Sequence, residues 1–201
     1  MERKLSEKME KYILRSMKIK QISEEDYGLV KKVIINGKMG MKLKEIVYFP
    51  NLENLIISNY QLSQDEIEFL ETLHNLKVLQ LDKVLINSNL SFTSSIKRLY
   101  LVNIDSELKI DLNNMKCLSY LKIYECSNIV NLEIHNLLYL KEIHINNSTI
   151  NQLNGLDSLF HLQKINIDGS TFHKGFYFPP NSNLQISNKK NYMLSSPKIC
   201  S

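Results

Sequence analysis

Six times in this chain an aliphatic triplet with the spacing L-x-x-L-x-L returns after about 22 residues. It reads Leu52-Leu55-Ile57, Leu76-Leu79-Leu81, Ile96-Leu99-Leu101, Leu118-Leu121-Ile123, Leu140-Ile143-Ile145 and Leu162-Ile165-Ile167. No other feature constrains the fold as tightly. One such unit cannot bury its own apolar face, so successive units must stack and share one interior.

The fourth position of the phrase serves as a marker. Val33, Leu55, Leu79, Leu99, Leu121, Ile143 and Ile165 are separated by 22, 24, 20, 22, 22 and 22 residues. The long and short steps are adjacent, so the phase is regained after one irregular coil. An imperfect first unit lies at Val30-Val33-Ile35. A degenerate last one is expected near Ser187, with Leu184 and Ile186 supplying its apolar residues.

Across the centre of each phrase, apolar and polar residues alternate, which is the period of a half-buried strand. Strands that recur in one direction must pair in parallel. Between phrases the apolar spacing changes to about three, best seen at Ile150, Leu153, Leu156, Leu159 and Leu162, then at Leu132, Ile134, Leu137 and Leu140. That spacing predicts short 3₁₀ turns on the outer side. The 24-residue unit differs. Asp65 to Glu71 opens acidic and places Ile67, Leu70 and Leu73 on one side, predicting a true helix capped by Ser63.

This pattern resembles the leucine-rich repeat family in its 22-residue class, over roughly residues 30–187, and is most similar to internalin-like bacterial repeat domains. The resemblance implies an α/β solenoid: a horseshoe with a concave parallel β-sheet, convex 3₁₀ turns or short helices, and a helical N-terminal cap. One departure stands out. The family usually places Asn at the ninth position to tie successive turns together. This chain has Tyr60, Val84, Ile104, Cys126, Ser148 and Ser170 there, so a weaker tie is expected.

A stack needs covers at its ends. Leu5, Met9, Tyr12, Ile13 and Met17 share one face at helical spacing and are assigned to a cap within residues 1–29. Ser23-Glu24-Glu25-Asp26 has the form of a capping box and opens a short helix before Val30. The rival use of the first helix is a membrane-surface one, since residues 1–20 carry seven Lys/Arg, but Glu2, Glu7 and Glu10 oppose it. Phe176, Tyr177, Phe178, Pro179 and Pro180 break the repeat, and 188–201 is expected to be a loose C-terminal tail.

Charge is unevenly placed. Residues 1–50 hold 12 basic and 7 acidic side chains, and the rest hold 13 and 14. A nearly neutral array argues against a nucleic-acid-binding horseshoe. Cys117, Cys126 and Cys200 have neither metal-ligand nor disulfide-framework spacing. No secretory leader and no membrane span is expected, which favours a cytoplasmic location. No glycine-rich phosphate loop, G-x-S-x-G elbow or H-E-x-x-H motif occurs. Some similar effectors carry a cysteine-dependent ubiquitin-ligase domain after their repeats. The stretch after residue 187 is too short for one, so no enzyme activity, metal or cofactor is expected.

Side chains between the core leucines point to the opposite face. The central column is Ile34, Ile56, Gln80, Tyr100, Lys122, His144 and Asn166, flanked by a column from Lys32 to Lys164 and one from Asn36 to Asp168. Arg98, Tyr100, Tyr120, Lys122 and Tyr124 gather at the centre, with Glu142, His144 and Lys164 beside them. Tyr and Arg dominate binding hot spots, so these eight residues are the expected contact surface for a protein or peptide, with a monomer as the expected state. His144 lacks a converging second ligand and is read as a surface histidine. Other readings are a secreted effector or cell-surface repeat protein, or a nucleic-acid or anionic-membrane binder acting through the basic N-terminal region.

Overall fold

The structure is a computed structural model that describes residues 5–87, 89–92, 95–180 and 183–188. The helix α1 (Glu7–Met17) comes first, and a 3₁₀ turn (Glu25–Leu29) leads into β1 (Lys32–Asn36). The next coil holds β2 (Asn54–Ser58), β3 (Gln61–Leu62) and α2 (Gln64–Glu71). Then follow β4 (Val78–Asp82), β5 (Leu85–Ile86) and β6 (Leu90–Ser91). Three coils have two strands each: β7 (Arg98–Val102) with β8 (Leu108–Asp111), β9 (Tyr120–Tyr124) with β10 (Ile129–Glu133), and β11 (Glu142–Asn146) with β12 (Thr149–Asn154). Last come β13 (Lys164–Asn166), β14 (Thr171–Phe172) and β15 (Gln185–Ser187).

The phrase strands form one parallel sheet in the order β1-β2-β4-β7-β9-β11-β13-β15. Its register follows the markers: Val33 faces Leu55, Leu55 faces Leu79, Leu79 faces Leu99, and so on to Ile165. Residues alternate between buried and half-buried, and Leu55, Leu79, Leu99, Leu121, Ile143 and Ile165 are fully buried. The two extra residues of the 24-residue step belong to the coil that holds α2. There Ser63 accepts from the Glu66 amide while the Glu66 carboxylate accepts from the Ser63 amide, a complete capping box. The degenerate last strand is β15, with Ile186 opposite Ile165, one residue earlier than the marker step.

The outer side is only partly made of 3₁₀ turns. They occur at Leu43–Tyr48 and Leu156–Ser158, but most coils instead contribute to a second parallel sheet, β14-β12-β10-β8-β6. The apolar spacing of three has a strand explanation here. Ile129 and Leu132 are both buried, and the register against β8 slips between Ile129 and Asn131. This bulge turns a spacing of two into three. Ile150 and Leu153 repeat it directly opposite, and Leu156 then enters the 3₁₀ turn.

From β2 to β13 the corner after each phrase strand is also regular, whereas a 3₁₀ turn, Gly37–Met39, follows β1. Asn59, Lys83, Asn103, Glu125 and Asn147 all have φ between 47° and 53°, and Gly169 has 70°. A left-handed residue at this point reverses the chain and aims its amide at the next coil. Asn59 donates to the Asp82 carbonyl, Lys83 to Val102, Asn103 to Tyr124, Glu125 to Asn146 and Asn147 to Asp168, at 2.9–3.1 Å. One residue on, the expected weakness is absent in the later coils. Ser148 Oγ accepts from the Cys126 amide and donates to the Asn146 carbonyl. Ser170 Oγ accepts from the Ser148 amide and donates to the Ile145 carbonyl. These two serines, both buried, do the tying that the family assigns to Asn.

At the N-terminal end α1 covers the first coil. Met9 and Ile13 are fully buried and Leu5 nearly so, which uses up the apolar face that a membrane-surface helix would need. The Tyr12 hydroxyl accepts from the Ile34 amide on the outer edge of β1 at 3.0 Å, closing an otherwise open strand edge. The Ser6 amide and hydroxyl both donate to the Glu45 carboxylate, tying the cap to the first coil. At the Ser23 box only the return half forms: the Asp26 carboxylate accepts from the Ser23 amide and hydroxyl. At the other end Phe172, Phe176 and Phe178 meet edge to face, with centroids 4.8 and 5.3 Å apart. The tail expected over 188–201, with Cys200, lies outside the described residues except for Asn188.

Candidate functional site

Pairing in the main sheet places the in-between residues in straight columns. The strand partners are Gln80–Tyr100, Tyr100–Lys122, Lys122–His144 and His144–Asn166 in the centre, and Val78–Arg98, Arg98–Tyr120, Tyr120–Glu142 and Glu142–Lys164 in the preceding column. Tyr124 sits between Val102 and Asn146. All eight expected contact residues are therefore on one face and on four consecutive strands, β7, β9, β11 and β13.

Their side chains interlock. The Tyr100 and Tyr120 rings lie 5.4 Å apart at 36°, and Tyr120 stacks on the His144 imidazole at 5.3 Å and 27°. These contacts are diagonal between columns, within reach for aromatic side chains on neighbouring strands. Lys122 Nζ lies 5.2 Å from the centre of the Tyr124 ring, two residues along the same strand. His144 Nε2 is 3.3 Å from Glu142 Oε2. The histidine side chain is only 16% exposed. It is a histidine of the concave face, packed into the aromatic row and largely covered by it.

Burial first, then the neighbouring Tyr100 and Glu142, push the Tyr120 phenol up, against a smaller pull from Arg98. A hydrogen bond and the charge of Glu125 push Tyr124 up as well. Both phenols are neutral hydroxyls at physiological pH.

A polar cleft of about 530 Å³ continues the surface beyond Lys164. Glu142 and Lys164 form its near wall, and His161, Gln163, Gln185 and Phe160 contribute most of the rest. The last four are not among the residues expected from the sequence, because the cleft is shaped by the turns entering β13 and β15 and not by the strand columns. No sequence pattern set them apart: Leu138 and Phe160 occupy the same repeat position 22 residues apart, and it is the structure that shows both 62% exposed.

A second polar cluster lies on the outer sheet. The Glu133 carboxylate accepts from Asn131 and Asn154 and pairs with His135 at 3.0 Å. Burial works to raise Glu133, but the amide hydrogen bonds and His135 prevail and hold its carboxyl below the usual range. These groups satisfy one another. Cys126 is buried in the core and its thiol is pushed up to about 11, first by burial. Cys117 is exposed. Among the described residues no cluster of three or more His, Cys, Asp or Glu could hold a metal ion, and no helix is long and apolar enough to cross a membrane.

No family model matches the chain, and no curated protein matches it. Among solved structures the chain is similar to an internalin (InlF) from Listeria monocytogenes str. 4b F2365, with a TM-score of 0.55 and 18% sequence identity over 91% of this chain. This chain spans 63% of the length of that one. At such identity the likeness speaks for architecture alone: the fold is a leucine-rich repeat solenoid of the kind seen in an internalin.

Proposed function

We propose that this protein is a non-enzymatic interaction module, built on coils of the 22-residue class, that holds a protein or peptide in the hollow of its main sheet. The contact surface is Arg98, Tyr100, Tyr120, Lys122, Tyr124, Glu142, His144 and Lys164. The observation that carries this reading is the stacked row Tyr100–Tyr120–His144 on three adjacent hydrogen-bonded strands. A row of half-buried aromatics on a stiff scaffold offers contact area whose ordering cost is already met on folding. The pairing offsets of 22 residues between β1 and β2, and again from β7 through β13, support the repeat class.

Random dodecapeptides displayed on phage and selected on the intact chain test this. Selected peptides should lose at least about tenfold in affinity on Tyr100→Ala/Tyr120→Ala. They should bind unchanged to Lys109→Ala, on the outer sheet. Equal binding to all three proteins, with matching thermal unfolding midpoints, would remove the hollow as the binding face.

A further inference from the structure

Arg98, Lys122 and Lys164 share the hollow of the sheet, and none of them forms an ion pair among the described residues. The carboxylates on the same face are already engaged. Asp82 Oδ1 accepts from Asn103 Nδ2 at 3.0 Å, Glu142 meets His144 at 3.3 Å, and both Asp168 oxygens accept from the Ser187 hydroxyl at 3.2 Å. Across β7, β9, β11 and β13 this face thus carries three cations, Lys122 with its ammonium over the Tyr124 ring, against the single carboxylate of Glu142, although the array as a whole is close to neutral.

Position adds to charge. Arg98 and Lys164 stand in one column three rungs apart, and Lys122 lies between them in the next column. At about 4.8 Å per rung the outer pair spans about 14 Å, the length of four to five extended residues. The aromatic rings between them pack against one another, which leaves less of their faces for bases to stack on. Hydroxyl donors and cations together suit carboxylates. Beyond Lys164 the polar cleft, with His161, Gln163 and Gln185 in its wall, has room for a further side chain.

We propose that the partner is an acidic, extended polypeptide segment lying across β7, β9, β11 and β13, with carboxylates meeting Arg98, Lys122 and Lys164, the first two one rung apart and the third two rungs further on. This rests on the hollow being the binding face. It goes further by fixing the chemistry of what lies there.

The same displayed dodecapeptides, sorted in parallel on the wild type and on Arg98→Glu/Lys122→Glu/Lys164→Glu, test it. The wild-type pool should carry two or more Asp or Glu within a five-residue window, and the reversed protein should select Lys and Arg instead. Affinity of the acidic peptides should fall as salt rises through the range where the screening length drops below about 10 Å. If the triple variant does not fold, Lys122→Gln and Lys164→Gln singly carry the comparison, each weakening the acidic peptides about three- to tenfold. A wild-type pool without acidic bias overturns the proposal, as does the same bias from both proteins. Tighter binding of a labelled oligouridylate than of the selected peptides also overturns it. A non-acidic pool that still fails on Tyr100→Ala/Tyr120→Ala removes the charge inference and leaves the binding face standing. A pool indifferent to the tyrosines, or no binder at all, removes both.

Discussion

Two kinds of residue decide how the coils turn, and both make predictions. Asn and Gly tolerate the left-handed corner, but Lys83 at φ 52° does not gain from it. Lys83→Gly should therefore raise the unfolding free energy by about 0.5–1 kcal/mol, read as a higher urea midpoint. Ser148 works the other way. Its buried hydroxyl accepts from the Cys126 amide, so Ser148→Ala orphans a buried donor and should cost about 1–3 kcal/mol in the same assay. The columns of the hollow were legible because strand alternation is strict: knowing Leu121 and Ile123 are core places Lys122 outside. The serine ladder was not. Ser148 and Ser170 read as departures from an Asn pattern, and only the shorter reach of a hydroxyl at a buried corner shows that they satisfy the same amides.

At the scale of elements, the two helices and the main sheet were visible in the sequence and the outer sheet was not. α2 announces itself by Ser63 and Glu66, a local capping pattern that needs no tertiary partner. The outer strands depend on a bulge shared by β10 and β12, and a bulge changes apolar spacing from two to three without any marker of its own. The cap helix makes a sharper test. Met9 and Ile13 are fully buried against the first coil, so Ile13→Ala should cost about 2–4 kcal/mol by denaturant titration. Tyr12→Phe, which orphans the Ile34 amide at the edge of β1, should cost about 1 kcal/mol.

For the molecule as a whole, high pH is the condition that reaches the interior. Cys126 is pushed up to about 11 and Tyr60 to about 12, both first by burial. Each group's neutral form is favoured in the folded state. Their contribution is therefore complete below their ordinary values, near 9 and 10, and is lost as pH rises from there toward 11 and 12. Stability measured by urea titration should fall steadily above about pH 9, with Cys126 accounting for about 2–3 kcal/mol. Cys126→Ala should flatten the first part of that fall, and a pH-independent difference between the two proteins would contradict the assignment.

The strand pairings join each coil to the next along the stack, with α1 closing one end. A load applied along that axis is carried by the coils in series, like links of a chain, and not shared among them. The yield point of the whole is then that of its least secured link. The first coils, which lack the two buried serine rungs, are secured instead by Lys31 and Lys77, which both pair with Glu53 at 2.9 Å, while Tyr12 and Glu45 hold the cap to the first of them.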